Sequence, residues 1–403
     1  MKVLVVGSGG REHALAWSLA RSSRLTELHA APGNPGIASL ANCHPVHADD
    51  VASLVPLAGE LGIDLVVVGP EAPLVAGLAD ELRHRGISVF GPGAAAARIE
   101  GSKAFSKDVM DAAGVPTAQS LAVARPPCVV KADGLAAGKG VWVCHTQAEL
   151  DAGLRAAESL GQPFHVEELL QGEEVSIFAL CDGVHAIPLP AAQDYKRIGD
   201  GDEGPNTGGM GSYSPVPRLS EVEVAELVEM VCTPVVAELA RRGSPFVGVL
   251  FAGVMLTDDG PRVLEYNCRF GDPETQSLLP RLEGDLLETL AAAAAGRLDR
   301  TPLVASESAA VTLVLAARDY PARGDSGTRI TGIEEAEATG ALVFHAGTAL
   351  HEGRLVTNGG RILNVTALGD SIAAARDAAY EAAAHVDFAG MRYRTDIAAF
   401  SRA

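Results

Sequence analysis

The sequence predicts a multidomain fold that combines α/β and α+β units. A chain of 403 residues is longer than one hydrophobic core usually supports, so we expect two to four domains. Strand patterns alternate with glycine loops and helical stretches over the first hundred residues, which indicates a doubly wound sheet. From about residue 307, short strands precede one Ala-rich helix, as in a small α+β domain. We therefore predict domains over residues 1–101, 102–300 and 306–403.

Composition narrows the classes of partner. The chain has 32 Lys and Arg against 51 Asp and Glu, a formal charge of −19. Such an acidic chain without a long basic run argues against nucleic acid, and any anionic ligand must be held by a few local cations. The six cysteines show no zinc or disulfide spacing. With no signal peptide and no apolar run of membrane-span length, we expect a cytoplasmic monomer that contacts no membrane.

The N-terminal unit opens with a strand over residues 2–7, a glycine loop and a helix from Arg11 to about Ala20. This order is similar to a dinucleotide-binding fingerprint, but Glu12 stands where the third glycine is needed, and no ribose-binding acid follows the second strand near residues 28–31. We interpret the unit as Rossmann-like without NAD. Its helix N-terminus could hold a phosphate beside Arg11, or the glycines could serve packing alone.

Two further strand-to-loop patterns, at residues 65–71 and 87–92, place their loops at the same carboxyl edge. A helix then runs from Ser102 to about Ala113, with Lys103 in its first turn. Helix dipoles disfavour a cation there, so Lys103 hints at an anionic ligand, although solvated lysines are commoner.

Residues 129–143 form a strand, a loop and a second strand, with three glycines and two lysines between the apolar ends. Exposed amides and ammonium groups suit a polyphosphate. The loop is not a Walker A motif, because Gly140 follows Lys139 where Ser or Thr is required. A Gly-rich hairpin with solvated lysines is the alternative.

Two polar stretches follow a helix over residues 147–160. Residues 165–177 carry two acidic pairs, which suit either a ligand or an acidic surface turn. Residues 193–214 are polar and Gly-rich, and unstructured stretches of that length are usually functional. A single helix from Ser220 to about Arg241 is predicted next, with Ser220 and Glu223 as its capping box.

A hairpin over residues 246–266 turns at Asp258-Asp259-Gly260. Side chains two apart in a strand share a face, so Glu265 and Asn267 point the same way. A carboxylate beside an amide oxygen suits Mg²⁺, and Arg269 suits the phosphate that such a metal bridges. An ordinary ion pair remains credible for any two of these residues.

These motifs together resemble the ATP-grasp superfamily and, more narrowly, the phosphoribosylamine–glycine ligase family. The resemblance covers essentially the whole chain and rests on five long motifs in the family's order: residues 9–14, 68–74, 131–140, 204–211 and 267–274. It implies an ATP-grasp central domain with a small lid at about residues 118–188, between the Rossmann-like and the small α+β domains.

The resemblance also implies roles for individual residues. It implies catalytic roles for Lys131, Lys139 and Arg269, and Mg²⁺ or Mn²⁺ ligands in Glu265 and Asn267. The implied ATP-binding residues are Lys103, Lys131, Gly138, Lys139, Glu167, Glu168, Leu170 and Glu174, with Glu167 at the adenine and Glu174 at the ribose. The implied residues for glycine and phosphoribosylamine are Gly9, Gly10, Arg11, Asn34, Glu71, Asp194, Gly208, Gly209, Met210, Asp272 and Pro273.

The implied reaction joins glycine to phosphoribosylamine at the expense of ATP, through glycyl phosphate, in purine synthesis. The chain departs from many ATP-grasp enzymes in lacking an acidic metal ligand over residues 249–255, which leaves the number of metals open, and its stretch from Leu121 to Pro127 is short. Another carboxylate–amine ligase of purine synthesis is the closest alternative. A nucleotide sensor without catalysis should have lost the metal pair or a phosphate lysine, and both are present.

Overall fold

The structure is a computed structural model that describes residues 1–134, 140–298 and 303–400. It contains α/β and α+β units, as the sequence predicts. No helix in the described residues is long and apolar enough to cross a membrane.

The N-terminal unit is a parallel sheet in the order β3-β2-β1-β4-β5, with helices between its strands. Strands β1 and β4 are almost wholly buried, since helices cover both faces of the sheet. Its elements are β1 (Lys2–Gly7), α1 (Gly10–Leu19), β2 (Glu27–Pro32), β3 (Asn42–Cys43), α2 (Val51–Leu61), β4 (Leu65–Val68), α3 (Glu71–Val75), α4 (Leu78–His84), β5 (Ser88–Phe90) and α5 (Ala94–Gly101).

A small antiparallel sheet in the order β7-β6-β8 comes next and packs on α7 through a core of its own. Thr146 caps α7 and Glu149 closes its capping box, which explains where that helix begins. The elements here are α6 (Lys103–Ala113), β6 (Cys128–Ala132), β7 (Val141–Cys144), α7 (Gln147–Ser159) and β8 (Phe164–Glu168).

A four-stranded antiparallel sheet, β10-β9-β15-β16, forms the floor of the central region. The predicted hairpin is confirmed as β15 and β16. The predicted single helix over residues 220–241 is wrong: α8 ends at Val231 and α9 starts at Thr233, because Pro234 lacks the amide hydrogen that a continuous helix needs. The elements are β9 (Glu173–Asp182), β10 (Ala186–Pro188), α8 (Glu221–Val231), α9 (Thr233–Arg241), β15 (Val247–Thr257), β16 (Gly260–Asn267), α10 (Glu274–Leu278), β17 (Leu282–Glu283) and α11 (Leu286–Ala294).

From its composition we expected the polar stretch over residues 193–214 to lack regular structure. That expectation is wrong. The stretch forms β11 (Gln193–Asp194), β12 (Arg197–Gly199), β13 (Glu203–Asn206) and β14 (Gly211–Ser214). Strands β12 and β13 make a hairpin, whereas β11 and β14 enter a sheet with strands from the end of the chain. Their pairing partners are remote in sequence, which is why the local pattern does not reveal them.

The C-terminal unit is built on that sheet, which is antiparallel in the order β11-β14-β19-β24-β21, with α13 packed across it. The predicted Ala-rich helix is confirmed as α13, whose buried face consists of alanines. The elements are β18 (Val304–Ala305), β19 (Ala309–Ala316), β20 (Asp325–Arg329), α12 (Ile333–Ala338), β21 (Leu342–His345), β22 (Thr348–His351), β23 (Arg354–Gly359), β24 (Arg361–Gly369) and α13 (Ile372–Ala383).

Candidate active site

The end of β16 supplies a carboxylate and a carboxamide to the cleft. Glu265 and Asn267 are separated by Tyr266, whose side chain is buried on the other face of the strand and donates its hydroxyl to the Val231 carbonyl. Regular pairing of these residues with β15 keeps Glu265 and Asn267 on one face. The face-sharing prediction is therefore confirmed.

Cations surround the Glu265 carboxylate. Burial opposes its ionisation, but the charges of Lys196, Lys131, Lys103 and Arg269 lower its pKa. An ionised carboxylate beside an amide oxygen is a donor set that fits a hard divalent cation. The described residues contain no group of three or more His, Cys, Asp or Glu side chains arranged for a metal, so phosphate and water oxygens would complete the coordination.

Lys131 reaches this cleft from β6 in the small sheet. Its ammonium lies 2.7 Å from Glu167 Oε2 and donates to the Leu264 carbonyl at 3.0 Å. Lys107 and His165 lie 3.0 and 3.1 Å from the other oxygen of Glu167. Burial raises the pKa of Glu167, but the hydrogen bond with His165 and the charge of Lys131 outweigh it and bring the pKa to about 2. Glu167 therefore stays ionised and holds the Lys131 ammonium at the carbonyl of Leu264, the residue before Glu265.

Lys103 sits at the first position of α6, and the anion at this helix terminus belongs to the chain itself. The Lys103 amide donates to Asp133 Oδ1 at 2.5 Å, and its ammonium donates to the Gly134 carbonyl at 3.3 Å. Burial lowers the pKa of Lys103, although Glu265 opposes that effect. Gly138 and Lys139, predicted to cover the phosphates, lie outside the described residues.

Glu174 and Asp194 lie on the other side of the cleft. Glu174 forms an ion pair with Lys196, and burial raises the pKa of Asp194 well above its usual value. Glu168, by contrast, accepts a hydrogen bond from the Gln119 amide at 2.8 Å, and Leu170 follows β8 in the connection to β9. Of the predicted nucleotide residues, Lys103, Lys131 and Glu174 thus lie around Glu265.

Arg269, just beyond β16, is fixed by two acids of the N-terminal unit. It lies 2.9 Å from Glu100 and 3.3 Å from Glu71. Burial lowers the pKa of Arg269, but Glu100 and Glu71 raise it above the usual value, so the guanidinium stays charged. Glu100 also accepts the Cys268 amide at 2.8 Å, which orients both partners.

The loop between β1 and α1 is organised by the buried Glu12. Its carboxylate accepts the Gly9 amide at 2.6 Å and Arg11 Nε at 2.6 Å, while Arg11 also donates to the Phe270 carbonyl at 3.0 Å. A Cβ on Gly69 would lie 2.0 Å from Glu12 Oε1, so Gly69 is the residue that lets this carboxylate fit. The residue that breaks the dinucleotide fingerprint therefore holds the loop together.

Asn34 and two histidines join the N-terminal unit to the C-terminal unit. Asn34 Nδ2 donates to the Ser8 and His345 carbonyls at 2.9 Å each, and its Oδ1 accepts the Ile37 amide. The His345 amide donates to His13 Nδ1 at 2.7 Å. Burial, helped by His345, lowers the pKa of His13 to about 3, so this imidazole is neutral. The amide of Asn34 is committed to backbone partners in this structure.

Asp272 and the Gly-rich loop are linked by Arg361 of β24. Arg361 lies 2.8 Å from Asp272 Oδ2 and donates to the Asp272 and Gly208 carbonyls at 2.6 Å each. The Gly208 amide donates to the Tyr320 hydroxyl at 2.9 Å. The structure places the other predicted residues of this region as follows: Gly10 starts α1, Gly209 donates to Thr207 Oγ1, Met210 is buried, and the Pro273 carbonyl accepts from Ser212.

Sequence reasoning missed the residues that join separate segments. They are Lys107, Glu100, Lys196, Tyr320 and Arg361. Lys196 carried a signal, because it is a cation in a polar stretch already selected as functional. Arg361 carried none, since its partners lie 89 and 153 residues away in sequence.

Family models match most of the chain. The N domain of phosphoribosylglycinamide synthetase matches residues 1–100, its ATP-grasp (A) domain residues 101–275, and its C domain residues 310–400.

Individual relatives cover the same span. The chain is 52% identical to a phosphoribosylamine–glycine ligase of Streptomyces coelicolor, over 99% of both chains. It is 51% identical to one of Brucella melitensis, over 98% of this chain and 97% of the relative. The crystal structure of a phosphoribosylamine–glycine ligase of Thermotoga maritima matches 98% of this chain and 100% of its own, with 34% identity and a TM-score of 0.85. With the fold and the cleft described above, these matches show that the chain belongs to the phosphoribosylglycinamide synthetase family.

Proposed function

We propose that this protein ligates glycine to 5-phosphoribosylamine with ATP, giving glycinamide ribonucleotide, ADP and phosphate. One observation carries the proposal: the Glu265–Asn267 face meets Lys103 and Lys131 from two other segments of the chain. That arrangement pairs oxygen ligands for a metal with charges for a polyphosphate. Membership of the family supports the choice of carboxylate and amine.

The nucleotide would lie between the small sheet and β16. Lys103 and Lys131 would neutralise its phosphates from two sides, as would Lys139. A Mg²⁺ or Mn²⁺ ion held by Glu265 and Asn267 would neutralise charge on the β- and γ-phosphates. The adenine would follow the backbone of Glu168 and Leu170.

Two earlier expectations about side chains are modified by the contacts. Glu167 was expected at the adenine, but its carboxylate already binds Lys131, Lys107 and His165. We therefore assign Glu167 the positioning of Lys131. Glu174 was expected at the ribose, and its ion pair with Lys196 leaves one carboxylate oxygen for that contact.

Phosphoribosylamine and glycine would enter from the N-terminal side. The N-terminus of α1, which begins at Gly10, suits a phosphate, and Arg11 adds charge beside it, whereas the Gly9 amide is already donated to Glu12. Glu71, Asp272 and the Gly208–Met210 loop would frame the two amines. Asn34 would act by fixing the Ser8 carbonyl in this loop.

The reaction needs no nucleophile from the protein. A glycine carboxylate oxygen attacks the γ-phosphorus, and the bond to the β-phosphate oxygen breaks with its electron pair leaving on ADP. The amine of phosphoribosylamine then attacks the acyl carbon, the carbon–oxygen bond to phosphate breaks, and the nitrogen loses a proton. The chain contributes orientation and fixed charge, among which Arg269 stays cationic throughout.

An ADP-release assay tests the proposal. We expect ADP only when glycine, phosphoribosylamine, ATP and a divalent cation are all present. Equal turnover without glycine, or with a larger acid, would instead favour another carboxylate–amine ligase. ATP binding without any ADP formation would favour a nucleotide sensor.

A further inference from the structure

Lys196 lies among the acids Glu174, Asp194 and Glu265, although it belongs to none of the five family motifs. It stands between β11 and β12 and forms an ion pair with Glu174 of β9. A Cβ on Gly253 of β15 would lie 3.5 Å from Glu174 Oε1 and 3.6 Å from Glu265 Cγ, so these two acids flank the same glycine. Lys196 therefore lies near Gly253 of β15, the strand that lacks the second acidic metal ligand found in many ATP-grasp enzymes.

The backbone holds Lys196 in this place. Its carbonyl accepts two hydrogen bonds from Thr207, from the amide at 2.7 Å and the hydroxyl at 2.9 Å. The neighbouring Tyr195 is paired with Gly211 through its amide at 3.0 Å. The Glu174 carbonyl is fixed by Gln193 Nε2 at 2.9 Å. A side chain anchored at both ends of its ion pair loses little entropy on binding a substrate.

Charge balance decides what Lys196 does. Glu265 and Asn267 supply ligands for one divalent cation, while a second cation would need Glu174 as a ligand. An ammonium already occupies that acid, and it has three donors, of which Glu174 takes one.

We propose that Lys196 takes the place of a second divalent cation and binds the glycine carboxylate and the γ-phosphoryl oxygens during transfer. The inference rests on the proposed function and adds a residue to it. In this role Lys196 transfers no proton. It supplies fixed positive charge where oxygens crowd as the new phosphorus–oxygen bond forms.

Lys196→Met tests this directly, with Arg218→Met as the matched control. Arg218 pairs with Glu173, the residue before Glu174, at 3.3 Å, and its side chain is 58% exposed. We would measure kcat, the KM for glycine, and the number of Mn²⁺ ions bound per chain with a non-hydrolysable ATP analogue, by electron paramagnetic resonance.

Wild type should bind one Mn²⁺. Lys196→Met should lose about 100-fold in kcat, raise the KM for glycine and bind a second Mn²⁺ through the freed Glu174. The control should match wild type in all three. Wild type with two bound ions, or a Lys196→Met variant with unchanged kcat or a single ion, would overturn the inference.

A double variant separates substrate binding from simple neutralisation of Glu174. Lys196→Met combined with Glu174→Gln should return to one ion and stay far slower than Glu174→Gln alone, which serves as the reference because Glu174 also contacts the ribose in the proposed function. Recovery of kcat in the double variant would overturn the inference, because Lys196 would then only neutralise Glu174. An inactive wild type would count against the proposed function instead, and the ion count would still be measurable.

Discussion

Replacing Arg361 with methionine should remove the contacts that link the C-terminal strand β24 to the loops at Asp272 and Gly208. The change removes an ion pair with Asp272 and hydrogen bonds to the Asp272 and Gly208 carbonyls. The two side chains of the pair are only 20% and 14% exposed, so Asp272 would be left with a mostly buried charge that keeps the hydrogen bond from Gln276 Nε2 at 2.7 Å but loses its ion pair. Breaking such a pair costs about 3 kcal/mol in the free energy of unfolding.

Arg323→Met is the matched control for this prediction. Arg323 and Asp319 also lie 2.8 Å apart, but their side chains are 79% and 51% exposed, and such pairs contribute less than about 1 kcal/mol. Urea unfolding followed by circular dichroism would give both free energies, and steady-state assays would give the KM for glycine. We expect Arg361→Met to be the less stable variant by about 2 kcal/mol and to have the higher KM. Equal stability and equal KM would refute the idea that Arg361 anchors the loops.

Three further variants test other parts of the site. Glu265→Gln should slow ADP formation at least about 100-fold and weaken the Mg²⁺ dependence, whereas Asp258→Asn in the exposed turn should not; equal effects would remove the metal assignment. Folded His13 has a pKa of about 3, so between this value and that of an unfolded histidine the unfolded chain binds more protons. On account of His13, the free energy of unfolding should therefore fall by about 2 kcal/mol as the pH falls from 6.5 to 5. His13→Asn should flatten that slope in urea titrations, and an unchanged slope would count against the reasoning. Gly69→Ala should cost about 1–3 kcal/mol of stability because its methyl group would meet Glu12 at 2.0 Å; thermal unfolding at the wild-type temperature would contradict this.

Local patterns were enough for much of the fold. The alternation of strand and helix in the first hundred residues gave the parallel sheet, because both faces of its strands are buried and the strands are therefore apolar throughout. The two-residue period of a strand likewise placed Glu265 and Asn267 on one face. The break between α8 and α9 has a local cause in Pro234, but the helical pattern on both sides of that proline favoured a single helix.

Pairings between remote segments could not be obtained in this way. Strand β14 joins β19 across about a hundred residues of chain, and nothing in its four residues identifies that partner. The same applies to side chains: the sequence around Glu167 is typical of a ligand-binding acid, but only the fold shows that two lysines and His165 occupy its carboxylate. Charges that meet across segments are set by tertiary structure rather than by spacing.

Glycine labelled with ¹⁸O in its carboxylate tests the central claim most directly. If that carboxylate attacks the γ-phosphorus, one labelled oxygen must leave with phosphate when the amide forms. Mass spectrometry of the inorganic phosphate from one round of substrate should therefore show one ¹⁸O per phosphate and none in ADP. Unlabelled phosphate formed alongside the amide product would contradict a glycyl phosphate intermediate.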